Sequence, residues 1–162
     1  MKKMFFFLLI CASVEAQQLA PLTVEKIMRD PKWIGVAPSN VFWGEDSKQV
    51  YFQWNPEKLA GDSLYAISVS SPTPVKVNPL VRRQLPSPFG DYNSARTKKV
   101  YEKNGDIFLL DVLTGKATPV TNSVDRESNP VFSSDEKKIL FIANGNLYRW
   151  ETGSGAFAQL TD

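Results

Sequence analysis

The amino-acid sequence predicts an all-β fold, and this prediction depends on three observations: short strand-like runs, turn signals between them, and an internal repeat. The runs follow a period of two and are rich in β-branched and aromatic residues. Clusters of Gly, Pro, Asn and Ser separate them, as expected where strands are joined by turns. The clearest runs are Val50 to Trp54, Ser63 to Ile67, Asp106 to Leu110, and Lys138 to Ile142.

The composition excludes several functional classes. The chain has 162 residues, with 19 Lys and Arg against 17 Asp and Glu, and it has no histidine. The near balance of charge offers no concentrated basic surface for nucleic acid. Without histidine, the chain cannot form a Ser-His-Asp triad, a Cys-His pair or the usual zinc sites. We therefore predict no catalytic residue, no metal ligand and no cofactor within it, and the sequence alone assigns no substrate-binding residue.

Residues 1–16 are predicted to be a signal peptide that directs the protein to the periplasm or outside the cell. Two lysines precede an apolar run from Met4 to Ala12, and Val14 and Ala16 suit cleavage between Ala16 and Gln17. The apolar run is about half of the ~20 residues that span a bilayer. We therefore expect no stable membrane span after cleavage.

Cys11 is the only cysteine, and it raises the alternative of a lipoprotein whose thiol is acylated after cleavage. Ile10 precedes it at a position where a small residue is expected, so lipid anchoring is the weaker interpretation. Cleavage after Ala16 removes Cys11. The mature chain then depends on its core for stability, because it can form no disulfide.

The N-terminal segment, residues 17–40, contains one predicted short helix from Thr23 to Asp30. Thr23 is a suitable N-cap, Glu25 lies favourably in the first turn, and Pro31 ends the helix.

An internal repeat with a period of about 40 residues follows, which is the length of a propeller blade. The segment from Asn104 to Phe108 recurs as Asn144 to Tyr148, and Val120-Thr121 recurs as Leu160-Thr161 at the same offset. A looser earlier copy aligns residues 43–52 with residues 132–141, and its hairpin loop is about six residues longer. The remaining matches are Gly115 with Gly155, again at that offset, and Lys98 to Tyr101 with Lys137 to Leu140, at an offset shorter by one. We therefore predict three units, at about 41–78, 87–122 and 129–162.

Each unit is predicted to hold four strands, as in the blades of a β-propeller. In the third unit, Asn144-Gly145 is a strong hairpin signal because both residues tolerate a positive φ. Closed propellers have about four to eight blades, so three blades cannot close a ring. We expect an incomplete propeller, the N-terminal piece of a larger protein. The predicted strands of the third unit are Asn129 to Ser133, Lys138 to Ala143, Asn146 to Glu151, and Phe157 to Thr161.

The sequence motif of the third unit is similar to that of known propeller blades. The segment from Asn129 to Phe141, followed by Asn146 to Trp150 and Gln159 to Thr161, resembles the blades of exported TolB-type propellers and of the prolyl oligopeptidase superfamily. The N-terminal part of the chain resembles one type of protein within this superfamily. A signal peptide, then Leu22 to Met28, Trp33, and a first blade around Val41 to Pro56 resemble the beginning of a bacterial dipeptidyl-peptidase-IV-like serine peptidase. The resemblance covers essentially all of the mature chain.

The resemblance implies a non-catalytic propeller that gates peptide access to a C-terminal α/β-hydrolase domain, which would be its partner. That domain would carry the Ser, Asp and His and cleave after proline or a small residue by acyl transfer. The family also uses a paired-glutamate motif to hold the amino terminus of the peptide substrate. No adjacent Glu-Glu pair exists here, so no such role is transferred. The alternative is a non-enzymatic, TolB-like periplasmic propeller that binds a protein partner.

Several motifs are better explained by structure than by chemistry. Gly61 to Leu64 matches an esterase nucleophile block but lacks a histidine base, so we predict a hairpin loop there. Gly153 to Gly155 is predicted to be a turn between strands, because it lacks the spacing of a nucleophile elbow. Asp46 and Asp135 occupy equivalent repeat positions, and we predict that they accept backbone hydrogen bonds in turns rather than bind calcium.

The remaining candidates are surface and packing residues. Asp125 to Glu127 is predicted to be a solvated loop. Arg82 and Arg83 are placed in an irregular, proline-rich connection between the first two units. The tryptophans are predicted to pack between sheets, with one face of Trp150 lining solvent. They are Trp33, Trp43, Trp54 and Trp150.

Overall fold

The computed structural model describes residues 23–29 and 35–162. The chain divides into two units, Met1–Gly35 and Val36–Asp162. In the first, helix α1 (Val24–Arg29) has Glu25 in its first turn, as the sequence predicts. The signal peptide, its cleavage site at Ala16 and Gln17, Cys11 and Trp33 lie outside the described residues, so the statements about them stay predictions.

The second unit contains three four-stranded antiparallel sheets, and the strands of each sheet lie side by side in sequence order. These sheets are blades of a β-propeller, which confirms the predicted fold class. Blade 1 consists of β1 (Ser39–Trp43), β2 (Gln49–Trp54), β3 (Ser63–Ser68) and β4 (Ser71–Lys76). Blade 2 consists of β5 (Asp91–Tyr92), β6 (Lys98–Lys103), β7 (Asp106–Asp111) and β8 (Ala117–Pro119). Blade 3 consists of β9 (Glu127–Phe132), β10 (Lys138–Ala143), β11 (Asn146–Glu151) and β12 (Phe157–Gln159).

A second helix, α2 (Pro79–Gln84), joins the first two blades. The prediction of an irregular connection around Arg82 and Arg83 is therefore wrong. The side chain of Asn78 caps the helix by accepting a hydrogen bond from the backbone N–H of Leu80 at 2.8 Å. Pro79 occupies the first turn, where its missing N–H costs nothing. The high proline content of this segment favoured a loop, but Asn78 and Pro79 begin a helix.

The turn between the first and second strands has the same geometry in every blade. It places a non-glycine residue at positive φ each time: Ser47 at 54°, Arg96 at 52° and Glu136 at 55°. The second strands begin at Gln49, Lys98 and Lys138. The number of residues between equivalent positions of blades 2 and 3 is therefore constant. It is the same from Arg96 to Glu136 in the turn and from Lys98 to Lys138 at the start of the strand. It is the same again from Asn104 to Asn144 in the next hairpin.

This constant offset corrects one predicted alignment. Lys98 is equivalent to Lys138, and not to Lys137 as the sequence predicts. Both copies contain two adjacent lysines, so a sequence alignment can shift there by one residue. In a strand, such a shift moves every side chain to the opposite face of the sheet. The structural equivalent of Lys99 is therefore Ile139.

The main hydrophobic core spans blades 2 and 3. Its centre is formed by Val100 and Ile107 of blade 2 with Ile139 and Phe141 of blade 3, all of them 0–1% exposed. Strand β9 lies directly against β5, β6 and β7, which brings the two sheets together. Partly buried apolar side chains surround this centre: Leu109, Val120, Phe132, Tyr148 and Trp150.

Candidate functional site

The gap between blades 1 and 2 contains the candidate binding site. A short segment that follows α2, residues 85–89 and here called the strap, runs through this gap and contributes to two cavities. The larger cavity, the strap groove, has a volume of about 740 Å³, and the smaller one has about 320 Å³. The strap contains two prolines, which lack backbone N–H donors, so its backbone meets its neighbours mainly through carbonyl groups.

The strap groove is lined by apolar side chains with a polar rim. Val41 on edge strand β1 of blade 1 and Phe89 at the end of the strap are 63% and 81% exposed. Phe42, which also lines the groove, stacks on Tyr51 with ring centroids 5.4 Å apart. The charged groups Glu102 and Lys103 lie at its edge. Apolar walls with a few polar groups at the rim are typical of a groove that binds a ligand.

Lys103 anchors the strap to blade 2. Its ammonium group donates hydrogen bonds to the carbonyl oxygen of Leu85, at 2.6 Å, and to that of Arg83. The Arg83 carbonyl lies in the last turn of α2, where unpaired carbonyls attract a cation. Burial lowers the pKa of Lys103 from its ordinary value.

A buried polar cluster lies between the same two blades. Lys99, whose residue is 0% exposed, donates to Glu45 Oε1 at 2.6 Å and to the Ser87 carbonyl oxygen at 2.7 Å. The second oxygen of Glu45 accepts a hydrogen bond from the Tyr92 hydroxyl at 2.6 Å. Burial raises the pKa of Tyr92 to about 12, and the hydrogen bond and negative charge of Glu45 add to this effect. Each charged group thus has two polar partners.

The segment Asp125 to Glu127 is only partly exposed, so the prediction of a solvated loop is wrong for its last residue. Glu127 is 4% exposed and begins β9. Its carboxylate accepts hydrogen bonds from Thr121 Oγ1 at 2.8 Å and Ser123 Oγ at 2.7 Å. Arg126 forms an exposed ion pair with Glu102 of blade 2 at 3.2 Å.

The two repeated aspartates hold turns. The backbone N–H of Lys48 donates to Asp46 Oδ1 at 3.0 Å, and that of Lys137 donates to Asp135 Oδ1 at 3.1 Å. Hydrogen bonds from the Ser133 hydroxyl and the Lys137 backbone hold the pKa of Asp135 below its ordinary value. Over the described residues, no three candidate metal ligands come together.

The two glycine-containing motifs lie where the sequence places them. Gly61 to Leu64 forms the end of the β2–β3 loop and the start of β3, and Gly153 to Gly155 forms the turn between β11 and β12.

The described tryptophans differ in exposure. Trp150 packs on the core of blades 2 and 3. Trp54 packs edge-on against Tyr65 and donates to the Val36 carbonyl oxygen at 2.6 Å. Trp43 is 60% exposed and lines the smaller cavity, so the prediction that it packs between sheets is wrong. Its strand, β1, is an edge strand of blade 1 and pairs with β2.

Sequence reasoning missed the cluster of Glu45, Tyr92 and Lys99. One signal was available, because Lys99 occupies a strand position at which the other blades have Val50 and Ile139. A lysine in an otherwise apolar column of a repeat indicates a charge that the fold must accommodate.

Comparison with known proteins identifies structures of similar fold but no family. TolB from Acinetobacter baumannii matches at 17% identity and a TM-score of 0.39, over 78% of this chain and 33% of that one. A prolyl endopeptidase matches at 16% identity and a TM-score of 0.40, over 82% of this chain and 24% of that one. The tricorn protease matches at 14% identity and a TM-score of 0.42, over 77% and 13% of the two chains. The chain thus spans 33% or less of each of these three proteins. No protein-family model and no curated protein matches the sequence.

Within residues 23–29 and 35–162, neither helix has the length and apolar character needed to cross a bilayer.

Proposed function

We propose that the chain is the non-catalytic N-terminal part of the propeller of an exported serine peptidase of the prolyl oligopeptidase superfamily, dipeptidyl peptidase IV-like in type. In this role the propeller limits access of peptides to a hydrolase domain carried elsewhere in the same protein. Export to the periplasm or the medium by the predicted signal peptide is part of the proposal.

One observation carries the proposal: blades 1 and 2 and the strap form an open groove, while the chain lacks the histidine that an acyl-transfer triad requires. The lining of the strap groove supports it. Leu85, Pro86, Pro88 and Phe89 offer apolar and ring surfaces that suit the side chains of a short peptide. The blade motif quoted above, which resembles that of the superfamily, supports it further.

The experiment uses the full-length protein. We expect an active-site serine probe of the fluorophosphonate type to label it, and we expect it to release p-nitroaniline from substrates with proline before the scissile bond. A series of peptides of increasing length then tests gating, with turnover expected to fall steeply as the peptides become too long or too folded to enter. Equal turnover of a short peptide and a folded protein containing the same site would contradict gating.

A non-enzymatic binding propeller is the second candidate, and the exposed apolar side chains of its loops favour it. Leu113 and Val124 are 84% and 105% exposed, and both lie outside the strands. In this case the full-length protein takes up no serine probe and retains a specific protein partner. Reading the gene beyond the codon for Asp162 gives an independent test, because only the peptidase requires a Gly-x-Ser-x-Gly segment with a downstream histidine.

A further inference from the structure

The position of Lys99 in the blade repeat shows that its charge is not required by the blade itself. Blade 3 has Ile139 at the equivalent position, with the same 0% exposure, and packs it in the apolar core. Blade 1 has Val50 there. An aliphatic side chain therefore satisfies this position in the other two blades. The lysine serves a purpose specific to the junction between blades 1 and 2.

The partners of Lys99 all lie at that junction. Glu45 belongs to the turn between β1 and β2 of blade 1, Ser87 belongs to the strap, and Tyr92 belongs to strand β5 of blade 2. The Tyr92 ring lies 5.2 Å from the ammonium group and adds a cation–π contact. One buried group therefore connects blade 1, the strap and blade 2.

A buried ion pair gives little net stability, because the cost of desolvating both charges offsets much of their attraction. Removing both charges is often neutral, whereas removing one partner leaves an uncompensated charge and is strongly destabilising. At this junction, two cavities flank the strap, and within the described residues no strand of blade 1 packs on blade 2 as extensively as β9 packs on β6. The polar cluster thus supplies a specific, buried connection between the two blades.

We propose that Glu45, Lys99 and Tyr92 form a polar latch that holds the first blade against the second. When the latch is broken, blade 1 separates as a unit, while blades 2 and 3 stay together on their shared apolar core. The junction between blades 1 and 2 is then the place where the propeller opens first. The proposal concerns the fold and is independent of the peptidase assignment.

Hydrogen–deuterium exchange on the full-length protein tests the latch strand by strand. In Glu45→Gln, which leaves the buried ammonium without its carboxylate, we expect the amides of β2 and β3 to exchange at least ~10-fold faster than in the unmodified protein. The amides of β6, β7, β10 and β11 should stay within about twofold. Equal acceleration in all three blades, or none in blade 1, would overturn the proposal.

A double variant and a matched control complete the test. Glu45→Gln combined with Lys99→Met removes both charges, and we expect it to restore most of the protection of blade 1. If the double variant exchanges as fast as Glu45→Gln alone, the ion pair is not the connection. The control is Arg126→Met, which breaks the exposed pair with Glu102 between blades 2 and 3 and should leave exchange in β2 and β3 unchanged.

Discussion

The two junctions between blades are built on different physical principles. Blades 2 and 3 share an apolar core whose central side chains are 0–1% exposed, and β9 packs directly on three strands of blade 2. Blades 1 and 2 are separated by the strap and two cavities, and a buried ion pair connects them. The same blade position holds Ile139 at one junction and Lys99 at the other. One repeated unit can therefore be joined by apolar burial or by specific polar bonds.

The largest effect is expected from the apolar junction. Phe141→Ala removes a ring that is 1% exposed and stacks on Tyr148 with centroids 5.9 Å apart. We expect a loss of about 3–5 kcal/mol in the free energy of unfolding, measured by denaturant titration. Phe89→Ala, at a ring that is 81% exposed, is the control and should change stability little. A similar loss in both variants would contradict the assignment of the core to blades 2 and 3.

The latch is expected to respond asymmetrically to the loss of either partner. Glu45→Gln leaves a fully buried ammonium group and should cost about 3 kcal/mol of unfolding free energy. Lys99→Met should cost less, because the Glu45 side chain is 17% exposed and keeps its hydrogen bond from Tyr92. Denaturant titrations of the two variants measure the difference. A larger cost for Lys99→Met would show that the lysine contributes mainly packing.

Thr121 and Thr161 occupy equivalent positions in blades 2 and 3, and they allow a buried hydrogen bond to be compared with an exposed one. Thr121 Oγ1 accepts the N–H of Ile107 at 2.8 Å in a buried setting, and Thr161 Oγ1 accepts the N–H of Leu147 at 2.9 Å in an exposed one. Thr121→Val should cost about 1–3 kcal/mol, because the buried N–H of Ile107 loses its acceptor and the buried Glu127 carboxylate loses one donor. Thr161→Val should cost less, since water replaces the hydroxyl. Equal thermal destabilisation would contradict this explanation.

The latch also predicts a dependence of stability on alkaline pH. Folding raises the pKa of Tyr92 from 10.0 to about 12, so the native state favours the neutral phenol. This contribution is fully present below pH 10 and is lost as the pH rises toward 12. Tyr92→Phe should therefore show a shallower loss of stability over this range. Tyr148→Phe is the control, because that hydroxyl bonds to the neutral Gln159.

The smallest effect is expected at the exposed ion pair between blades 2 and 3. The Arg126 side chain is 80% exposed, so Arg126→Met should change the unfolding free energy by less than about 1 kcal/mol. Adding salt should have correspondingly little influence on the variant. A loss comparable with that of Glu45→Gln would remove the distinction between the two junctions.

The sequence predicted the turns better than the site. The roles of Asp46 and Asp135 followed from their recurrence, because a hydrogen bond between residues two apart depends only on local backbone geometry. The burial of Glu127 could not be predicted in this way. Its partners, Thr121 and Ser123, become close only when the chain passes from blade 2 into blade 3.

By itself, the sequence determined the strands, the turns and the division into three blades. Period-two patterning and Asn-Gly pairs encode the strands and turns within a few residues, and the repeat at an offset of about 40 residues encodes the blades. Only the tertiary structure decided which face of each strand packs against which blade. It therefore decided that Lys99 is buried and paired. That side chain pairs with Glu45, 54 residues away in sequence, and no local pattern specifies such a contact. The physical reason is that backbone preferences are local, whereas the environment of a charge depends on every element packed around it.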